Sequence, residues 1–283
     1  MEPVVTLRNI SDTALWAAVY RAEESVRPDA LFRDPFAARL AGDRGRAIRE
    51  MLPRRSRRSW PWVARTYLFD QFVIDAVNQG ADTVINLAAG LDARPYRMSL
   101  PATLNWIEVD LPDLVTYKEE VLKGEQPRCT LERIRLDLAD RSARQSLFAA
   151  LGARSKHALI LTEGLLIYLS PEHVGEFAED VAAPSSFTGW VIDLVSPGLL
   201  TMLRREIGGA LDAAGAPLKF GPEEGPDFFL PHRWQPAEVR SVLKTAAKIR
   251  RLPWGLRLFA FLPEPPRPGK RPWSAVVRFT RRF

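Results

Sequence analysis

Cysteine is almost missing from this chain: Cys129 is the only one in 283 residues, which excludes an internal disulfide and any thiolate-rich metal centre. Long apolar runs are missing as well. The stretch Leu165 to Leu169 falls far short of the ~20 residues that a membrane-spanning helix needs. No charged-then-apolar leader opens the sequence, no internal repeat is visible, and no GxGxxG follows the first predicted strand. These absences lead us to expect a protein of the reducing cytoplasm with no membrane partner and no bound metal.

Hydrophobic residues make up 46% of the chain and charged residues 26%, a balance that supports a sizeable globular core. Forty basic against 34 acidic residues give a formal charge of +6. Part of the excess is the run Arg54, Arg55, Arg57 and Arg58 beside Trp60 and Trp62, a pattern that nucleic-acid binders share. The basic residues do not recur with aromatics along an extended stripe, so a solvated loop leading into a helix is the expectation, with no nucleic-acid partner.

Helices are expected over Ser11 to Ser25, Pro35 to Met51 and Trp60 to Gln79, the last with Ser59 as N-cap and Gly80 just past its end. From Asp82 the pattern becomes short β-rich runs alternating with amphipathic helices, as a parallel sheet with crossover helices requires. Five successive parallel strands are expected at Thr83 to Ala88, Asn105 to Asp110, Glu132 to Asp137, Ala158 to Glu163 and Trp190 to Val195. Helical segments are expected between them at Pro95 to Ser99, Asp113 to Lys123, Arg141 to Leu151 and Pro171 to Ala182. The excursion Pro197 to Pro231 reads as a lid, followed by a helix near Pro236 to Ala247. Lys248 to Leu252 and Ala275 to Thr280 would then pair antiparallel at one sheet edge.

The chemistry concentrates at the ends of these strands. Gly90 follows the first, where a residue without a side chain either makes a tight turn or lets backbone approach a ligand. Asp110, twenty residues later, ends the second and suits the two hydroxyls of a ribose. Asp137 ends the third and Glu163 the fourth. Each acid alone could cap the next helix; three in succession present carboxylates along one edge of the sheet. A carboxylate-lined site without a phosphate cradle suits a cationic, phosphate-free nucleoside, and S-adenosylmethionine has that chemistry. Its own carboxylate needs a cation, for which Arg65 and Arg94 are candidates.

Four ordered motifs resemble one family: Arg65-Thr66 with Asp70; Ala89-Gly90-Leu91-Asp92-Ala93-Arg94-Pro95-Tyr96; Glu108-Val109-Asp110-Leu111-Pro112; and Thr162-Glu163-Gly164-Leu165-Leu166-Ile167-Tyr168-Leu169. Together with Arg27 to Pro35 they resemble the leucine carboxyl methyltransferase family, particularly its bacterial polyketide-type O-methyltransferase branch. The chain departs from the usual glycine-rich loop by Ala88 and Ala89 before Gly90, and by Ala93 where Thr is common. The resemblance implies a doubly wound, mostly parallel seven-stranded α/β sheet of the Rossmann-like methyltransferase type, with N-terminal helices and a helical lid insertion. It implies that Arg65 grips the methionine carboxylate, with Ala88, Gly90 and Leu111 against the cofactor and Asp110 at the ribose. Asp137 and Leu138 would face the adenine, and Glu163 would lie near the amino-acid end. Arg94 would serve there too, or orient the loop.

On this reading residues 1–283 form a single methyltransferase domain: a helical cap over 1–80, a cofactor-binding core over 81–196, a lid over 197–234, and a C-terminal helix with edge strands over 235–283. The expected reaction is O-methylation of a hydroxyl or carboxylate of a small molecule. Tyr168 and His232 are the candidate bases, and Phe220, Phe228 and Phe229 would provide either acceptor-pocket walls or lid core. A nicotinamide-dependent oxidoreductase would use Gly90 and Asp110 as well, but the chain lacks both GxGxxG and a Tyr followed four residues later by Lys. A noncatalytic cofactor-binding module is the third reading.

Overall fold

The computed structural model describes residues 7, 9–52, 57–264, 267 and 269–282; Arg54 and Arg55 of the arginine run lie outside them. Three helices come first: α1 (Asp12–Ser25), α2 (Ala37–Met51) and α3 (Trp60–Asn78). Pro61 sits in the first turn of α3, where its missing N–H costs nothing. Ser59 occupies the N-cap but makes no side-chain cap bond, and Gly80 takes a φ of +93° just past the helix end. Gly42 breaks α2 with a φ of 56° and a ψ of −172°, so the expected continuous helix is kinked.

The Rossmann-like core follows as β1 (Thr83–Leu87), α4 (Arg94–Arg97), β2 (Asn105–Asp110), α5 (Pro112–Val121), β3 (Thr130–Arg135), α6 (Arg141–Arg154), β4 (Ala158–Thr162), α7 (Pro171–Ala182) and β5 (Phe187–Val195). Short polar side chains start several of the helices. Asp140 accepts from Ala143 N to cap α6, and Ser170 accepts from His173 N to cap α7. After β5 come α8 (Pro197–Leu203), a π-helical turn over Arg204–Gly208, α9 (Gly209–Ala213) and a 3-10 segment over Gly225–His232. The chain ends with β6 (Trp234–Ser241), α10 (Val242–Lys248), a 3-10 helix over Trp254–Phe261 and β7 (Ser274–Arg281).

The sheet runs β3-β2-β1-β4-β5-β7-β6, parallel except for β7, which is antiparallel to both β5 and β6. β1 and β4 are buried along their whole length, as strands covered on both faces must be. On one face Trp190 forms the centre of a ring cluster with Phe177, Phe229, Trp234 and Phe279, and its indole N–H donates to Thr162 Oγ1 at 3.1 Å. The other face packs Phe69, Phe72 and Trp106 under α3 and α10. A third cluster joins α1 and α2 to the α8–α9 excursion, roofing the carboxyl ends of the strands.

Two C-terminal expectations are corrected. Residues from Pro236 form most of an edge strand, with a register shift between Pro236 and Glu238, and helix begins only at Val242. Pro-Ala-Glu suits a helix start, but proline is equally at home on an edge strand, where its missing N–H need not pair. Residues 248–252 form a turn with Arg250 at a φ of 57°, so β7 pairs with β6 in their place. β3 also ends at Arg135, two residues before Asp137.

Gly198, in the first turn of α8, joins the excursion to the loop before β7 through its N–H to Gly269 O at 3.1 Å. A Cβ there would lie 2.1 Å from the carbonyl oxygen of Lys270. Gly198→Ala is expected to lower stability by ~1–3 kcal/mol, as overpacking does. A fall in the urea midpoint at unchanged slope would register it.

Candidate active site

A cavity of about 850 Å³ opens over the carboxyl ends of the parallel strands, under the roof of α1, α3 and the α8–α9 excursion. That volume lies towards the upper end of the ~300–1,000 Å³ typical of small-molecule sites. Of the expected cofactor residues, Arg65, Ala88, Gly90, Arg94, Asp110, Leu111, Asp137, Leu138 and Glu163 all line it.

The loop after β1 lines the cavity from Ala88 to Asp92. Gly90 has a φ of +52°, and a Cβ on it would stand 3.3 Å from the Cβ of Ala14 on α1. Its N–H donates to Asp110 Oδ2 at 2.6 Å, while Leu111 N–H donates to Asp110 Oδ1 at 2.7 Å. Each Asp110 oxygen keeps a further lone pair, enough for two hydroxyl donors. Burial pushes the Asp110 carboxyl up from its ordinary value, against the two backbone N–H groups that favour the ionised form. Asp137 is exposed at the rim, with Oδ1 accepting from Ala139 N at 2.9 Å. Ala88 takes a φ of 53° without being glycine, so this loop carries local strain.

Beneath the loop lies a network of guanidinium and carboxylate groups. Arg94 is 2% exposed and donates to Asp70 Oδ1 at 2.6 Å, Asp92 Oδ2 at 2.8 Å and Glu163 Oε2 at 2.9 Å. Arg97 grips both oxygens of Asp70 in a fork, at 2.6 and 2.8 Å. Arg21 on α1 reaches Asp34 and donates to Leu91 O at 2.6 Å, tying the roof to the loop. Arg65 stands nearer the cavity, with Nε 3.1 Å from Glu163 Oε1, Nη1 3.0 Å from Asp193 Oδ2, and its guanidinium over the Trp62 ring. Asp193 Oδ1 in turn accepts from Gly164 N at 2.6 Å. Arg21, Arg65, Arg94 and Arg97 thus meet Asp34, Asp70, Asp92, Glu163 and Asp193, one more carboxylate than guanidinium. The network holds an excess negative charge beside the cavity.

These contacts separate the two arginine candidates. Arg94 spends donors on Asp70, Asp92, Glu163 and the Thr66 carbonyl, contacts that tie the loop after β1 to α3 and to the tip of β4. Arg65 retains N–H capacity at the cavity wall. Tyr168 lines the cavity, but burial pushes its phenol up from its ordinary value, against a hydrogen bond with Thr13 and the charge of Arg65. It stands at the cavity wall within hydrogen-bonding reach of Thr13. His232 is not among the lining residues; Nδ1 lies 3.2 Å from Glu179 Oε1 and the ring covers Gly175, where a Cβ would meet Cε1 at 2.8 Å. Its role is packing between α7 and the 3-10 segment.

Phe220 and Phe229 are fully buried and, with Phe228, form part of the sheet core, so they are not acceptor-pocket walls. Trp60 and Trp62 from α3, with Met202, Leu203, Ile207 and Leu218 from the excursion, supply apolar lining instead. The sequence reading missed Asp193, an acid interrupting the apolar run of β5, and that interruption was its only signal.

The family model for leucine carboxyl methyltransferase matches residues 14–182. This chain belongs to the leucine carboxyl methyltransferase family. A family relative from Frankia alni, named an S-adenosyl-L-methionine-dependent methyltransferase, is 34% identical over 254 residues, covering 84% of this chain and 88% of the relative. A relative of the same description from Parafrankia is 35% identical over 190 residues, a match that spans 62% of this chain and 61% of that one. A methyltransferase structure from Thermobifida fusca superposes with a TM-score of 0.58 at 15% identity, covering 98% of this chain and 96% of its own. A DUF574 family protein from Streptomyces avermitilis gives 0.55 at 12% identity, covering 94% and 97%. These two likenesses show the α/β methyltransferase fold.

Two substitutions test the loop. Ala88→Gly removes a left-handed cost of ~1–2 kcal/mol and adds ~0.4–1 kcal/mol of unfolded-chain entropy, so thermal unfolding should show a gain of up to ~1.6 kcal/mol. Burial raises the Asp92 carboxyl, but Arg94, Lys118, Arg97 and Arg21 together hold it down at about 2. Its stabilising contribution is therefore complete above the ordinary carboxylate range near pH 4 and is lost as pH falls towards 2. Asp92→Asn should cost ~2 kcal/mol at neutral pH and flatten the stability loss between those limits in pH-dependent denaturation.

Proposed function

We propose that this S-adenosylmethionine-dependent methyltransferase methylates an oxygen of a small, largely apolar organic molecule, with a carboxylate as the favoured acceptor. The observation that carries the cofactor reading is the pairing of Gly90 and Asp110 across the strand ends with the acid-rich network around Arg65. The two remaining lone pairs of Asp110 match ribose hydroxyls. Asp137 and Leu138 supply the adenine end, and Glu163 with Asp193 favour an ammonium while Arg65 answers the carboxylate beside it. The network's excess negative charge complements a ligand whose sulfonium and ammonium outnumber its carboxylate. Frankia and Parafrankia relatives named for that methyl donor support the same reading.

When bound, the cofactor supplies an electrophilic methyl on a sulfonium, which departs as a neutral thioether. The chain's task is then to align an acceptor oxygen with that methyl and exclude water. Trp60, Trp62, Met202, Leu203 and Ile207 provide the apolar walls for this. Charged groups near the amino-acid end are already committed: Glu163 and Asp193 to Arg65, and Glu163 also to Arg94. Burial raises the Tyr168 phenol above its ordinary value, which disfavours its service as a base. A carboxylate acceptor is ionised at neutral pH and needs no base, whereas an alcohol would. The aromatic and aliphatic lining supports a small organic acceptor, in keeping with the polyketide-type branch, and the single buried cysteine suits a reducing cytoplasm.

Calorimetric titration with S-adenosylmethionine and, separately, NADH tests the cofactor. Saturable binding of the first alone is expected, with Asp110→Ala weakening it roughly 10–100-fold through the loss of hydrogen bonds to an ionised acceptor. Binding of NADH, or equal affinity in the variant, would overturn the assignment. A labelled-methyl screen of aromatic and aliphatic acids against their alcohols then tests the acceptor: turnover confined to the alcohols would overturn the carboxylate reading.

A further inference from the structure

The 3-10 helix Trp254–Phe261 has no buried residue. Its inner side rests Leu256 and Ala260 on the core cluster under α10, yet its outer side is as apolar as a core. Trp254 is 84% exposed, Leu258 78% and Phe261 85%, with Phe259 and Leu262 more than half exposed. A surface helix of a globular protein normally turns polar residues outward. Here Arg257 is the only polar residue in the helix.

This platform is held firmly. Arg251 donates to Glu24 Oε1 at 2.7 Å and Oε2 at 2.9 Å, and to Asp29 Oδ2 at 2.9 Å, fixing the start of the segment to the end of α1. Val26, 83% exposed, lies on the chain between those two acids. The apolar face is thus presented by a braced surface, not by a loose tail.

The chain flanking this helix is strongly basic. Residues 248–271 contain Lys248, Arg250, Arg251, Arg257, Arg267, Lys270 and Arg271 against Glu264; with Glu24 and Asp29, which pair with Arg251, seven cations face three acids, a balance of +4. All of these cations except Arg251 are exposed, and among the described residues they carry no ion pair. Tryptophan, phenylalanine and leucine outward, flanked along the chain by arginine and lysine, is the chemistry of a segment that lies in the headgroup region of an acidic bilayer. A second copy of this chain would bring two such basic rims together across a symmetric contact, which like-charge repulsion disfavours.

We propose that this face docks the enzyme on an anionic phospholipid surface, with Trp254, Leu258 and Phe261 entering the headgroup boundary and the basic rim meeting lipid phosphates. No described helix is long and apolar enough to cross a membrane, so the mode is peripheral.

Co-sedimentation of the full chain with vesicles of phosphatidylglycerol and phosphatidylcholine, against phosphatidylcholine alone, tests the proposal. Binding to the anionic vesicles only is expected, weakening as salt is raised. Trp254→Ala with Phe261→Ala should abolish it, and Arg250→Glu with Arg257→Glu should weaken it by at least about tenfold. Both double variants alter exposed side chains, and an unchanged thermal midpoint confirms that each is folded. Wild-type protein that stays in the supernatant with anionic vesicles would overturn the proposal. So would sedimentation that survives both double variants, or a dimer in light scattering that Trp254→Ala with Phe261→Ala disperses while vesicles remain unbound.

Discussion

The guanidinium of Arg94 is almost sealed from water, and the arrangement of the site depends on it. Through Asp70 and the Thr66 carbonyl it holds α3, through Asp92 the loop after β1, and through Glu163 the tip of β4. An unpaired charge at this depth would be costly, of the order of 3–5 kcal/mol when one member of a buried pair is removed. The three segments are therefore held in one arrangement. Burial works against the Arg94 charge, but Asp92, Glu163 and Asp70 outweigh it and keep the group protonated. Asn86 adds a further tie, donating to Asp92 Oδ2 at 2.8 Å.

Stability and recognition consequently share atoms. Glu163 is both a brace for Arg94 and a wall of the cavity, and Arg65 links it to Asp193. The exposed side of this network carries the ligand-facing groups, while its buried side determines where they stand. Gly90 depends on both, since its carbonyl neighbourhood is fixed by Arg21 on Leu91 and its N–H by Asp110.

Much of this was legible in the sequence because short β-rich runs alternate with amphipathic helices from Thr83 to Val195, and because the acids at strand ends recur at crossover spacing. The order and direction of β7 and β6 were not. Pro236 carries the same local signal at a helix start and on an edge strand, and only pairing with β7 distinguishes them. The choice between the two roles of Arg94 needed tertiary geometry, since residues as distant as Asp70 and Glu163 close around it. Asp193 was hidden for a related reason: one acid in a strand usually points to solvent, and here the Arg65 guanidinium takes the place of water. The rings of Phe220 and Phe229 look alike as pocket wall or core until the sheet is folded beneath them.

The antiparallel insertion of β7 has a bearing on how the protein comes into being. β6 has no partner in the sheet other than β7, and the far edge of β5 is likewise covered only by β7. During synthesis β6 emerges before the strand that must lie between it and the rest. The five parallel strands can assemble first, leaving the β5 edge open and Trp234 without its place in the ring cluster. Residues 274–281 then complete two pairings at once, so the last part of the sheet closes as a single cooperative event.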